Sequence, residues 1–379
     1  MPAEITLRGM TWSDPRGYDP VVAAAVEFAR RHPGVRIDWD KRSLQGFEST
    51  AVDELAATYD LMVIDHPHVG AVVADGCLLP IDLHADPDAL LQLEGETVGK
   101  SFASYHLGGH QWGLPIDAAT QVQAVRPDLQ PAPAQRWDQV MKAARDRAVL
   151  WPLRPPHVLM GFFTLSANLG DPCAVTKGPL VSRQTGLAVL SALQALADLV
   201  DPTCRSMDPI AALNALAESP RHRIIPLTYL YAPYAREAYR THRIAFHDIP
   251  AIGAGGPIGS ALGGTGIAVS ARTAHPALCT EFAIWLASSD VQRGLYSANS
   301  GQPGNARAWG DAAVNAAVGN AYANTRLTHE AAWLRPRHKG YMAFQEEGSH
   351  IVLEAITGRI PHATALDALD QRFIESFPE

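Results

Sequence analysis

Several things are scarce in this sequence. Cysteine occurs four times, at Cys77, Cys173, Cys204 and Cys279, with no CxxC pair and no zinc-ligand spacing, which excludes a cysteine-built zinc module. Cys173 and Cys204 sit in similar settings, Asp171-Pro172-Cys173 and Asp201-Pro202-Thr203-Cys204, which leaves one disulfide open beside the alternative of four free thiols. No apolar run approaches the roughly 18 residues that a membrane helix needs. The first residues, Met1 to Arg8, have no basic n-region and no apolar h-region; they read as a strand, not as an export signal. Two locations are therefore expected: periplasm or cell surface if an export segment has been removed, cytoplasm if Met1 is the native start. Catalytic signatures are missing too. No G-x-S-x-G and no H-E-x-x-H occurs. There is no G-x-x-x-x-G-K-[ST], and the stretch Gly253 to Gly259 misses G-x-G-x-x-G because Ile258 stands where the last glycine belongs.

What is present is the balance of a globular chain. The length of 379 residues is more than one ordinary core accommodates and predicts about two lobes. Hydrophobic residues make up 47%, enough for buried cores in both. A net charge of -8 repels phosphate backbones, so no nucleic-acid partner is expected.

The first 120 residues alternate strand and helix. Ile5 to Trp12 reads as a strand; Asp19-Pro20 then carries the cap and first-turn proline of a helix with Val22, Val26 and Ala29 on one face. Val35 to Trp39 alternates as a half-buried strand, and a polar helical stretch is expected through Glu54-Leu55. Asp60-Leu61-Met62-Val63-Ile64-Asp65 is an apolar run between acids, suited to a parallel strand covered on both faces. The order predicts an open α/β sheet. Further on, helices are expected around Trp137 to Ala144, from about Arg183 to Asp201, and from Pro276 through Trp285. Strands are expected at Arg223 to Leu227, Arg243 to Phe246 and Ile267 to Ser270, the last entered from a glycine-rich stretch, Gly253 to Gly266.

Six segments, in order, then resemble one known family. Asp60 to Asp65 looks like its strand ending at the ligand cleft. Gly76-Cys77-Leu78-Leu79-Pro80-Ile81-Asp82 resembles its G-L-L-P-L-D turn, and Gly109-His110-Gln111-Trp112-Gly113-Leu114-Pro115 its G-K-x-Y-G-L-P crossing. Arg136-Trp137-Asp138-Gln139-Val140 resembles T-W-D-E-L, and Gly263 to Ser270 resembles G-G-x-G-x-A-I-S. Phe282 to Gln292, followed by Gly301-Gln302-Pro303-Gly304, matches a late helix and loop. The family is the extracellular solute-binding protein family 1, the maltose-binding-like group. The resemblance implies an α/β, two-lobed periplasmic-binding-protein fold of type II, with a ligand cleft between lobes. Lobe 1 would comprise residues 1–117 and about 255–308; lobe 2, about 118–254 and about 309–379. It implies a monomer that closes on a small polar solute and passes it to an ABC transporter permease, without cofactor or metal. A carbohydrate or polyol is the expected solute, a carboxylate-bearing one its close rival.

The site residues follow from position. In open α/β sheets ligands sit at the carboxyl ends of strands, which picks out Trp12 and Ser13, Asp65 and His66, and Asp117 at the crossing. In the second lobe it picks out Tyr229 and Tyr231. Gly264 and Thr265 would offer backbone N–H groups, Gln302 a loop contact, and Arg337, within the Arg335-Arg337-His338 cluster, a hold on an anion. Bland roles stand beside these: Trp12 as core, Asp65 as a helix cap, the tyrosines as packing. His66-Pro67-His68 has metal-like spacing, but no acidic or cysteine partner follows at ligand spacing. Two other functions compete with this one: an enzyme on the same scaffold, thiaminase-like, with Cys77 as nucleophile, and a ferric-ion receptor using clustered tyrosines.

Overall fold

The computed structural model describes residues 4–43, 46 and 51–378. The polar helical stretch expected through Glu54-Leu55 falls partly outside them; within them a short helix covers Val52–Ala56. The elements that carry the architecture are β1 (Ile5–Trp12), α1 (Pro15–Arg31), β2 (Val35–Arg42), β3 (Leu61–Asp65), β4 (Leu114–Val125), α2 (His157–Asn168), α3 (Arg183–Ala197), α4 (Pro209–Glu218), β5 (Ile224–Tyr229), β6 (Ala245–His247), β7 (Leu262–Val269), α5 (Pro276–Ala287), α6 (Tyr341–Ile356) and α7 (His362–Glu375). The chain divides into two compact units. Unit 1 is Met1–Ala119 with Gly263–Val314; unit 2 is Thr120–Leu262 with Asn315–Glu379.

Unit 1 is built on a mixed sheet in the order β2-β1-β3-β7. β1 pairs in parallel with β2 and with β3, and β7 runs antiparallel to β3, with Asp65 opposite Thr265. Leu7, Val21, Phe28, Leu61, Val63 and Phe282 belong to one apolar core; Met10, Met62, Ile64 and Val72 belong to a second. This two-sided burial explains why β3 reads as a continuous apolar run. The α1 helix starts five residues before the expected Asp19-Pro20. Its cap is Asp14, whose side chain accepts from the Arg16 N–H at 2.9 Å, and Pro15 takes the first position. Both Asp-Pro pairs carry the same capping chemistry, and the earlier one wins; Pro20 then lies inside the helix, at the loss of one backbone hydrogen bond.

The β7 strand also begins earlier than expected, at Leu262, so the last glycines of the rich stretch are strand residues. A side chain has no room there: a Cβ at Gly266 would stand 2.7 Å from the Tyr105 ring, and one at Gly264, where φ is +88°, 2.4 Å from the Asp117 carbonyl. The earlier glycines belong to unit 2. Asn168, closing α2, donates to the Gly256 and Ile258 carbonyls and accepts from the Ile252 and Gly253 N–H groups, fastening residues 252–258 as a loop.

In unit 2 the second half of β4 pairs antiparallel with β5 and with β6. Every residue of α2 is buried, and α6 packs with α2, α3 and α7. All four cysteines are buried free thiols, so the Cys173–Cys204 bridge left open by the sequence is not formed.

Candidate functional site

The carboxyl ends of β1 and β3 bring together most of the residues picked out in the first part of the chain. Arg16, second in α1, turns its guanidinium onto Asp117 of β4. Nε donates to Oδ2 at 2.7 Å and Nη2 donates to Oδ1, a two-point pair buried on both sides. Burial pushes the Asp117 carboxyl above its ordinary value and the nearby Asp65 charge adds to this, while Arg16 opposes both. Asp65 ends β3 with its side chain 19% exposed, Oδ1 lying 3.2 Å from His66 Nδ1. It occupies the cap position of the turn His66–His68, yet its side chain makes no cap hydrogen bond. His66 itself is buried. Across the ladder stands Thr265, whose buried hydroxyl has no hydrogen-bond partner among the described residues.

Trp12 is 3% exposed and belongs to the apolar core of unit 1. Its indole lies over Gly17 so closely that a Cβ there would stand 2.3 Å away. Ser13 is exposed, its N–H bonded to the Arg42 carbonyl at 2.7 Å. Gly264 backs onto the Asp117 carbonyl. Gln302 is buried and donates to the Ala118 carbonyl at 2.7 Å, a tie from its loop to β4.

The remaining candidates lie in unit 2. Tyr229 ends β5, half-buried, and Tyr231 is buried, its ring edge-on to Tyr234 at 6.5 Å. Arg337 is half-buried, and burial lowers its pKa. The neighbouring Arg335 is buried and donates to the Leu262 carbonyl and the Gln345 amide oxygen.

Two residues were missed from sequence. Arg16 was signalled by Asp14-Pro15, a cap and first-turn pair that aims the next side chain back over the strand end. His157, first residue of α2, stands edge-on to Tyr229 at 6.3 Å. Burial lowers its pKa to about 3, with Arg154 and Arg335 adding to the effect and Asp208 opposing it. The only signal was Arg154-Pro155-Pro156-His157, a proline-led helix start.

Cys77 sits in the second core of unit 1, and burial raises its thiol to about 11, so it is not a ready thiolate. Among the described residues no group of three His, Cys, Asp or Glu is placed to hold a metal ion.

No protein-family model matches the chain, and no curated protein does. Solved structures do, over almost the whole length. The maltose-bound MalE3 of T. maritima superposes with a TM-score of 0.83 at 15% identity, covering 97% of this chain and 99% of that one. A solute-binding protein of an ABC transporter from Thermotoga lettingae TMO, bound with α-D-tagatose, gives 0.82 at 15% identity, covering 98% and 99%. One from Agrobacterium radiobacter K84, in complex with ribitol, gives 0.78 at 18% identity, covering 99% of each chain. This chain therefore has the fold of the ABC-transporter solute-binding proteins.

Proposed function

We propose that this chain is the solute-binding component of an ABC importer, taking a small polar solute and presenting it to the permease. A carbohydrate or polyol is the first candidate, a carboxylate-bearing solute the second. The observation that carries the reading is the polar group at the carboxyl ends of β1 and β3. The Asp65 carboxylate is partly open, and the Thr265 hydroxyl opposite it has no partner among the described residues. The nearby Arg16 and Asp117 form a two-point ion pair, positive on negative. Strand ends of open α/β sheets are where small ligands bind, and a carboxylate accepts from two hydroxyls. The full-length likeness to proteins whose bound solutes are maltose, α-D-tagatose and ribitol supports a hydroxylated solute. The reading makes the protein a monomer working in the periplasm or on the cell surface. It assigns no chemical step to Cys77, whose thiol is raised to about 11 by burial.

A thermal-shift panel of sugars, polyols, sugar acids and amino acids tests it. The right solute stabilises the fold by about 2.7 kcal/mol at a hundredfold excess over its dissociation constant. A panel in which nothing raises the melting point at millimolar concentration would count against a solute receptor.

A further inference from the structure

The turn that follows α7 packs on one histidine of unit 2. The His338 ring lies flat on Phe377, with centroids 3.6 Å apart and 16° between the planes. Phe373 and Tyr341 stand edge-on to it at 5.8 and 5.9 Å. His338 Nε2 is 2.7 Å from the Ser376 hydroxyl. That hydroxyl gives its only hydrogen to the Phe373 carbonyl at 2.6 Å, so the imidazole is the donor and carries its proton on Nε2. Nδ1 is then the bare nitrogen. It is buried and has no hydrogen-bond partner among the described residues. The turn also sits tight against the backbone beside the histidine: a Cβ on Gly340 would stand 2.0 Å from the Ser376 carbonyl oxygen.

This arrangement suits a neutral imidazole. A second proton has one place to go, Nδ1, where it makes a charged N–H among aromatic rings with no acceptor. Attraction to the face of Phe377 offsets part of that cost, but the loss of water around the charge is the larger effect. Burial accordingly lowers the His338 pKa from 6.5 to about 4, and no charge contributes to the shift. The charged groups on the surrounding elements are engaged elsewhere or lie beside it in sequence. Arg372 of α7 pairs with Glu375 at 3.1 Å and with Glu347 of α6 at 3.3 Å, and Glu346 of α6 meets His350 at 3.1 Å. Arg337 and Lys339 flank the histidine in its own segment. Since the folded value is depressed, the contribution of the neutral ring is full above pH 6.5 and is lost as pH falls toward 4.

We infer that His338 is a pH-sensitive latch on the end of α7: neutral, it clamps Ser376 and Phe377 against the segment before α6; protonated on Nδ1, it releases them and bares the Phe377 ring. The switch moves one proton and breaks no covalent bond. It needs no solute and no residue of unit 1, so it stands apart from the receptor reading.

The test uses the full chain without added solute. Backbone hydrogen exchange of residues 374–378 is compared at pH 7 and pH 5, after correction for the intrinsic pH dependence of exchange, and the His338 ring nitrogens are titrated by NMR. The expected result is exchange at this end at least tenfold faster at pH 5, with α2 protected as before. The His338 proton should sit on Nε2 at neutral pH, and the ring should titrate well below 6.5. His338→Phe keeps an aromatic ring on Phe377 and cannot titrate, so its chain end should exchange alike at both pH values. If that variant does not fold, the wild type decides alone, because exchange at the end must rise along the His338 titration. A chain end equally protected at both pH values, a pH response that survives in His338→Phe, a rise that does not follow the His338 titration, or a His338 ring that titrates at 6.5 or above overturns the latch.

Discussion

In unit 1 the buried guanidinium of Arg16 meets a carboxylate, Asp117, at two points. In unit 2 the buried guanidinium of Arg335 donates to neutral oxygens and acts on an imidazole that has no hydrogen-bond partner among the described residues. The two arrangements have different energetic meanings. A buried two-point ion pair roughly balances its desolvation against its attraction, so it fixes geometry more than it adds stability. An orphaned imidazole is a standing cost, a desolvation with no hydrogen bond to offset it. Unit 1 thus has a closed charge pair whose carboxylate feels the partly exposed Asp65 nearby. Unit 2 has a buried imidazole, His157, with no hydrogen-bond partner among the described residues.

The comparison is broken most forcefully at Arg16. Arg16→Met strands the Asp117 carboxylate in the interior and should cost about 3–5 kcal/mol in urea unfolding. Arg16→Met with Asp117→Leu should recover most of that loss. If the single variant unfolds as the wild type does, the pair is not the closed unit described here.

A smaller cost is expected at the end of α2. Asn168→Ala removes four hydrogen bonds that fasten residues 252–258. The expected loss is about 2–4 kcal/mol in unfolding, with faster hydrogen exchange confined to that loop.

The third prediction is a pH dependence. His157 in the folded protein titrates at about 3 and His338 at about 4, each lowered by burial from 6.5, and His222 and His247 are lowered in the same direction. Below the unfolded value the unfolded chain therefore binds more protons than the folded one. Stability contributed by neutral histidine is full above pH 6.5 and is lost as pH falls toward 4. The loss should be about 2 kcal/mol or more in denaturant midpoints, and His157→Phe should flatten the slope.

Much of the fold was legible in the sequence for physical reasons. β1 was expected over Ile5 to Trp12 and is observed there. β3 shows itself because burial on both faces demands a run of apolar residues. The start of α1 was misread because Asp14-Pro15 and Asp19-Pro20 are equivalent capping signals locally. β4 was missed because, although it is buried on both faces, it carries Thr120, Gln121 and Gln123. These polar residues become tolerable only through distant partners, such as Ser260 for Thr120, Thr164 for Gln121 and Ala134 for Gln123. Part of the candidate site was legible as strand ends, which picked out Asp65 and Asp117, two residues the fold places near one another. Arg16 was not, because its partner lies 101 residues away. His157 was not, because an orphaned side chain is defined by what surrounds it in space.

Asp65 offers the sharpest test of the solute-receptor account. Its carboxylate is partly exposed, and Asn keeps its shape, so Asp65→Asn should change apo stability by no more than about 1 kcal/mol. It should weaken binding of the stabilising solute by about 1.5–3 kcal/mol, the range for losing a charged hydrogen bond. The measurement is isothermal titration of that solute into wild type and Asp65→Asn, with apo melting recorded for both. One-to-one binding by the wild type, at least tenfold weaker in the variant at an unchanged apo melting point, is the predicted result. A variant that binds as the wild type does, or that loses its stability instead of its affinity, would contradict the account.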